Sequence, residues 1–136
     1  MAASLPAIAA PKIPALIVDG INNHAWQAGT AAIRETLLAA GRFTVAVSTS
    51  PPAQAPPGEW AKWRPNFAAY RVVINNFNGG HKDDGIRWPR QVELDFEQYV
   101  RSGGGLVIFH AANNAFLHWR AYNEIIGLGW RDKSFG

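Results

Sequence analysis

Two histidines are the side chains of this sequence best placed for acid–base chemistry. His110 directly follows the apolar residues 105–109, and His24 follows two asparagines in a short polar segment. A neutral imidazole can act as a general base or as a metal ligand. The sequence contains no cysteine, so thiolate nucleophiles, thiolate metal sites and disulfides are excluded within this chain. His24 and His110 are therefore the candidate catalytic residues.

The same two imidazoles are candidate metal ligands. A zinc ion bound by His24, His110 and one further group is chemically reasonable, because catalytic zinc accepts imidazole and carboxylate ligands and keeps one position open. No compact ligand motif such as HExxH occurs, so the cofactor is not identified beyond a divalent metal such as zinc.

Structural roles are the alternative for these residues. A histidine at a strand end, such as His110, can be purely structural, with the hydrogen bonds of its imidazole satisfied inside the fold. His24 lies in a turn where Asn22 or Asn23 suits the cap of the next helix. Asp19 is either a turn former or an orienting partner for an imidazole.

Short apolar segments alternate with helix-length segments along the chain. This alternation favours a parallel sheet covered by helices on both faces. The predicted strands are residues 13–20, 42–50, 69–77 and 105–110, and the predicted helices are residues 26–40, 89–101 and 113–126. The predicted inner faces of the first two helices consist of Ile33, Leu37 and Leu38, and of Val92, Phe96 and either Tyr99 or Val100.

The connecting segments are rich in proline and glycine. Residues 51–60, with four prolines, and residues 78–85 are predicted loops. The three glycines at 103–105 precede a strand instead of following one, which predicts a helix stop and a tight turn and not a phosphate-binding loop.

The loops that follow parallel strands lie at one edge of the sheet. Carboxylate, amide and imidazole side chains concentrate in these loops, which predicts one cleft in which His24 and His110 meet. The set consists of Asp19, Asn22, Asn23, His24, Asn75, Asn76, Asn78, His81, His110, Asn113 and Asn114.

Length and composition describe one globular domain. The chain has 136 residues, of which 48% are hydrophobic and 17% charged. Its 13 Lys and Arg residues are scattered, so no nucleic-acid partner is predicted, and no segment is apolar enough to predict a membrane span. Residues 1–11 are small and mostly apolar, like the end of a signal peptide, which predicts a periplasmic or secreted location. A flexible leader on a cytoplasmic protein is the alternative, and the domain proper is then residues 12–136.

Three blocks of the sequence carry a family resemblance. The segments IPALIVDGINNHAW, FAAYRVVINNF and GGGLVIFHAANNAF, with the residues that follow the last, resemble the ThuA-like (trehalose-utilisation) domain. That domain belongs to the class I glutamine amidotransferase-like superfamily, and the resemblance runs from about residue 12 to residue 136. It implies a flavodoxin-like parallel sheet. Amidotransferases of the superfamily carry a cysteine at the turn where this chain has His110, so cysteine-dependent glutamine hydrolysis is excluded.

The resemblance also implies a small-molecule sugar as the partner. ThuA-like proteins keep histidines at the positions of His24 and His110 and are linked to the catabolism of trehalose and related disaccharides, through oxidised sugar intermediates. The implied substrate-binding residues are tryptophans that stack on sugar rings and asparagines that bind hydroxyls. They are Trp26, Trp119 and Trp130 with Asn22, Asn23, Asn113 and Asn114.

ThuA-like domains continue beyond the point that corresponds to Gly136. We therefore expect a fold truncated on its C-terminal side, an uncovered sheet edge and a tendency to form homo-oligomers. The predicted function is action on a disaccharide or keto-sugar through the cleft histidines. Asp19, Asp83 and Asp84 form no obvious facing pair, which disfavours ordinary glycoside hydrolysis. A non-catalytic sugar-binding or interaction domain of the same fold is the alternative.

Overall fold

Four parallel strands form the centre of the molecule, whose computed structural model describes residues 10–131. The strands are β1 (Ile13–Asp19), β2 (Phe43–Thr49), β3 (Val72–Asn75) and β4 (Gly105–Ile108). They lie in the order β2-β1-β3-β4, so that β1 and β3 each have a strand on both sides. This is the flavodoxin-like parallel order, which confirms the predicted fold class.

Helices cover both faces of the sheet. On one face Ile33 and Leu37 of the first helix pack against a cluster centred on Ala15, Ile17 and Ile74. The other face carries the larger apolar cluster, to which the third and fourth helices contribute. The helices are α1 (Trp26–Ala39), α2 (Pro57–Lys62), α3 (Arg90–Arg101) and α4 (Arg120–Ile126), with 3-10 turns at Phe67–Ala69 and His110–Asn114.

The larger cluster is built mainly from aromatic rings. Trp88 lies at its centre, with ring centroids 5.0 Å from Phe116, 5.5 Å from Phe96 and 5.9 Å from Trp119. Such edge-to-face contacts add to the stability that apolar burial provides. This cluster joins α3 to the segment that precedes α4, and so fixes one wall of the sheet's carboxyl edge.

Two buried carboxylates on α3 were not expected from the sequence. Glu93 accepts two hydrogen bonds of 2.7 Å from Arg87. Glu97 accepts one of 3.2 Å from Arg101 and one of 2.9 Å from the indole nitrogen of Trp119. Burial of a carboxylate is tolerated when it is paired and hydrogen-bonded in this way.

Three details of the predicted elements are corrected. The proline-rich segment is not a loop throughout, because α2 begins at Pro57, and proline is accommodated in the first turn of a helix. The last helix begins at Arg120 and not at residue 113, since the backbone of Phe116 has a positive φ of 59° that interrupts helical geometry. Leu38 is exposed and does not belong to the inner face of α1.

The face of β4 on the α1 side is only partly covered by the described residues. Val107 of β4 and Phe109 just beyond it are 47% and 37% exposed. Within residues 10–131, β4 has a strand partner on one side only. No helix in this range has the length and apolar character needed to cross a bilayer. Most of the predicted leader, residues 1–9, and the last five residues of the predicted domain lie outside the described part of the chain.

We predict that Gly20→Ala destabilises the fold by about 2 kcal/mol or more. Gly20 follows β1 with a φ of +127°, and an added Cβ would lie 2.7 Å from the backbone nitrogen of Ser50. The backbone of Ser50 is held by its hydrogen bond to Asp19 and cannot move aside cheaply. Urea unfolding measures the effect. The control is Gly58→Ala in α2, where an added Cβ meets nothing within 4 Å; equal stability of the two variants would contradict the prediction.

Candidate functional site

His24 and His110 lie side by side at the carboxyl edge of the sheet. Their ring centroids are 4.4 Å apart and the ring planes are inclined by 48°. Both residues are exposed to solvent. Residues 86 positions apart in the chain therefore form one imidazole pair, as the topology of parallel strands led us to expect.

The position of His110 depends on a sharp turn after β4. Phe109, just beyond β4, is still hydrogen-bonded to β3, because its N–H donates to the carbonyl of Asn75 over 2.9 Å. His110 then adopts a left-handed backbone conformation, with a φ of 46°, as the first residue of the 3-10 turn. This conformation is unfavourable for a residue with a side chain. It turns the imidazole out of the sheet, much as a strained strand-to-helix turn presents the nucleophile of some α/β enzymes.

Two asparagines hold His24 in place. The side chain of Asn22 accepts a 3.1 Å hydrogen bond from the backbone N–H of His24 and donates one of 3.1 Å to the carbonyl of Asn76. Asn22 thus closes a turn instead of capping α1. The amide nitrogen of Asn23 lies 3.5 Å from Nε2 of His24, and its oxygen accepts a 2.9 Å hydrogen bond from Asn78. These side chains orient the histidine loop.

A buried polar network lies beneath this loop. The Asp19 carboxylate, 1% exposed, accepts a 2.6 Å hydrogen bond from the Thr30 hydroxyl. Asn76 donates to the same hydroxyl and to the carbonyl of Trp26, over 3.1 Å each. The network ties β1, β3 and α1 together. Asp19 therefore orients His24 only indirectly, and the direct contact with an imidazole that we considered is not formed.

The segment that carries His110 is held by a second buried contact. Asn75 donates a 2.9 Å hydrogen bond to the Tyr122 hydroxyl, which in turn donates one of 2.8 Å to the carbonyl of Ala112. Burial raises the pKa of Tyr122, which keeps its hydroxyl protonated and able to donate. Nothing in the sequence marked Tyr122 as a residue that supports the site, because its hydrogen bonds form only when α4 packs against the end of β3.

The two histidines open onto a cleft of about 500 Å³. Its lining combines imidazole, amide and apolar groups, and among the described residues that line it none carries a carboxylate. Trp130, at the rim, is 51% exposed, and the ring of His81 lies edge-on to it with centroids 5.1 Å apart. The lining residues are His24, Ile108, His110, Ala111, Asn113, Asn114, Ile126, Leu128 and Trp130.

Four of the expected sugar-binding residues lie elsewhere. Trp119 is 2% exposed in the aromatic cluster and bonded to Glu97, so its ring cannot stack on a ligand. Trp26 is half-buried and does not line the cleft. Asn22 and Asn23 form the loop contacts described above. His118, outside the cleft, forms a 2.8 Å contact with Asp83.

The expected metal site lacks a third protein ligand in the described part of the chain. Residues 10–131 bring together no group of three His, Cys, Asp or Glu side chains able to hold a metal ion. Catalytic zinc takes three protein ligands, whereas His24 and His110 offer two.

Comparison with known proteins agrees with the fold. The family model ThuA, described as trehalose utilisation, matches residues 15–135. A ThuA-like protein from Parabacteroides merdae has a similar structure, with 35% identity, a TM-score of 0.78 and coverage of 88% of this chain and 40% of that one. A ThuA-like protein from Bacteroides uniformis shares the fold at 23% identity and a TM-score of 0.54, with coverage of 89% and 46%. The chain thus spans less than half the length of these two proteins. No curated protein matches it.

We predict that Thr30→Val destabilises the protein by about 1–3 kcal/mol. The valine keeps the shape of the threonine but removes the hydroxyl that bridges Asp19 and Asn76, and this leaves a buried carboxylate without its donor. Urea unfolding measures the loss, and the NMR signals of the His24 ring should shift because its loop loses support. Thr44→Val, at an exposed position of β2, is the matched control. Equal stability of the two variants would show that the hydrogen bonds of the Thr30 hydroxyl do not stabilise the fold.

Proposed function

The chain belongs to the ThuA family of trehalose-utilisation proteins, and from this premise we propose that it acts on a disaccharide or keto-sugar through the imidazole pair of His24 and His110. Family membership supports a role in carbohydrate utilisation. One observation carries the finer proposal: the two rings lie 4.4 Å apart in an open cleft.

The pair is suited to general acid–base catalysis. When one imidazole is neutral and the other protonated, the neutral ring can remove a proton from the sugar while the protonated ring donates one to the oxygen that gains charge. A carbon next to a keto group is acidic enough for such a base, whereas an unactivated sugar carbon is not. The chemistry of the site therefore favours an oxidised sugar over a plain disaccharide as the reacting species.

The composition of the cleft argues against the usual route of glycoside hydrolysis. That route needs two carboxyl groups on either side of the scissile bond. Asp19 is buried against Thr30, and Asp83 contacts His118 outside the cleft. Neither carboxylate faces the imidazole pair.

Other lining residues are suited to holding a sugar. The exposed indole of Trp130 offers a flat apolar surface for one face of a pyranose ring. Asn113 and Asn114 offer amide groups that donate to and accept from hydroxyls. These three residues remain in the proposed binding set.

A non-catalytic sugar-binding domain is the second candidate. It is favoured by the lack of a carboxylate among the described lining residues and by the imidazole pair having no third metal ligand there. Such a domain needs the indole and the amides but not the histidines.

Replacement of either histidine should abolish turnover while leaving the fold intact. We expect His24→Ala and His110→Ala each to lower the rate with a 3-keto-disaccharide at least about 100-fold, because general acid–base catalysis is worth that much or more. Product formation is followed by chromatography with trehalose as the unoxidised comparison. His118→Ala, an exposed histidine outside the cleft, is the control.

The outcomes separate the candidates. Full activity in both cleft variants would refute the acid–base proposal. Sugar binding without turnover, unchanged by either substitution, would favour the binding domain. Stoichiometric zinc in the wild-type protein that is lost in both variants would assign the imidazoles to metal binding.

Trp130→Ala should weaken sugar binding by about 2- to 10-fold, the loss expected for one aromatic stacking contact. Trp130→Phe keeps an aromatic face and should retain most of the affinity. Calorimetric titration with the same sugar measures both. An alanine variant that binds as well as the wild type would remove Trp130 from the site.

A further inference from the structure

A second cavity lies at the opposite end of the strands from the histidine cleft. It has a volume of about 580 Å³ and lies between α3 and the segment that leads into β3. Arg71, one of its lining residues, shows which end of the sheet this is. The N–H of Arg71 donates to Pro14 near the start of β1, and its carbonyl accepts from Gly105 at the start of β4. The cavity is therefore separated from the imidazole pair by the length of the sheet.

Two guanidinium groups border this cavity without a carboxylate partner. Arg64 donates to the neighbouring carbonyl of Trp63 over 3.1 Å. Within the described chain, neither Arg64 nor Arg71 has an Asp or Glu oxygen within 4.0 Å. Arg120, by comparison, is paired with Glu124 at 2.7 Å. Two cations at one cavity attract an anion.

The floor of the cavity is preformed. The ring of Tyr99 lies against Gly104 so closely that an added Cβ at Gly104 would overlap it, and the hydroxyl of Tyr99 donates to the carbonyl of Gly105 over 2.8 Å. The N–H groups of Gly103 and Gly104 already donate to carbonyls of α3. An anion here would be held by side chains and not by a glycine-rich phosphate loop.

Neutral and acidic polar groups complete the lining. The side-chain amide nitrogen of Gln98 donates a 3.0 Å hydrogen bond to the hydroxyl of Ser102, which leaves the side-chain amide oxygen of Gln98 and the hydroxyl hydrogen of Ser102 to face a ligand. Asn66 and Asp95 also border the cavity. A carboxylate and amides are suited to binding the hydroxyl groups of a polyol.

We propose that this cavity is a second binding site, for a small phosphorylated sugar whose phosphoryl group lies between Arg64 and Arg71. A guanidinium offers several parallel N–H donors that match phosphate oxygens. The cavity is larger than the 500 Å³ histidine cleft and has room for an organic group beside the phosphate. The hydroxyl groups of the sugar then face Asp95, Asn66 and Gln98. This site does not depend on the proposed reaction at the imidazole pair.

The test is calorimetric titration of the full chain with glucose 6-phosphate, glucose and inorganic phosphate. We expect glucose 6-phosphate to bind most tightly, with an affinity that falls as salt is added. The double substitution Arg64→Gln and Arg71→Gln should weaken this binding by about ten-fold or more, because two charge-assisted contacts are lost. Arg34→Gln, an exposed arginine on α1, is the matched control and should bind like the wild type.

Other results would overturn the proposal. Glucose binding as tightly as glucose 6-phosphate would show that the arginines do not select the ligand. The proposal would also be wrong if the double substitution left the affinity for glucose 6-phosphate unchanged, or if the wild-type protein showed no measurable binding of this ligand. His110→Ala separates the two sites: loss of glucose 6-phosphate binding in that variant would place the ligand in the histidine cleft. Far-UV circular dichroism verifies that each variant is folded.

Discussion

Two consecutive buried asparagines at the end of β3 hold the histidine pair together. Asn75 contacts Tyr122 and through it the segment that begins at His110, whereas Asn76 contacts Thr30, Trp26 and Asn22 on the side of the His24 loop. Because neighbouring residues of a strand point to opposite faces of the sheet, each asparagine supports one of the two walls. The amides cannot be exchanged for apolar side chains of similar size, since several buried partners would lose their hydrogen bonds together.

The aromatic cluster and the buried glutamates of α3 extend this support to the protein's larger core. Glu97 fixes the indole of Trp119, and Glu93 fixes Arg87, whose guanidinium carbon lies 5.9 Å from the centre of the Trp119 ring. Charged groups thus define the direction in which the segment before α4 leaves the core.

Much of the fold and the central pair of the site followed from the sequence. Hydrophobic segments of strand length identified the sheet, and parallel topology brought His24 and His110 to one edge. Residue type alone did not separate Trp119 from Trp130. The first is buried in the aromatic cluster and donates to Glu97, 22 residues away, whereas the second lies at the rim of the cleft. The same holds for Asn22 and Asn23, which are hydrogen-bonded to residues just after β3, and for Asn113, whose carbonyl accepts from Arg131 beyond α4. Local patterns predict elements well, but they carry little information on contacts between distant segments.

The left-handed backbone of His110 gives the site a thermodynamic cost of its own. A histidine held at a φ of 46° costs about 1 kcal/mol or more relative to a relaxed conformation. Glycine would occupy this position without that cost, but it would remove one imidazole of the pair. Selection for thermal robustness alone would therefore favour replacement of His110, and an engineered heat-resistant descendant of this chain would lose the imidazole pair at this residue first.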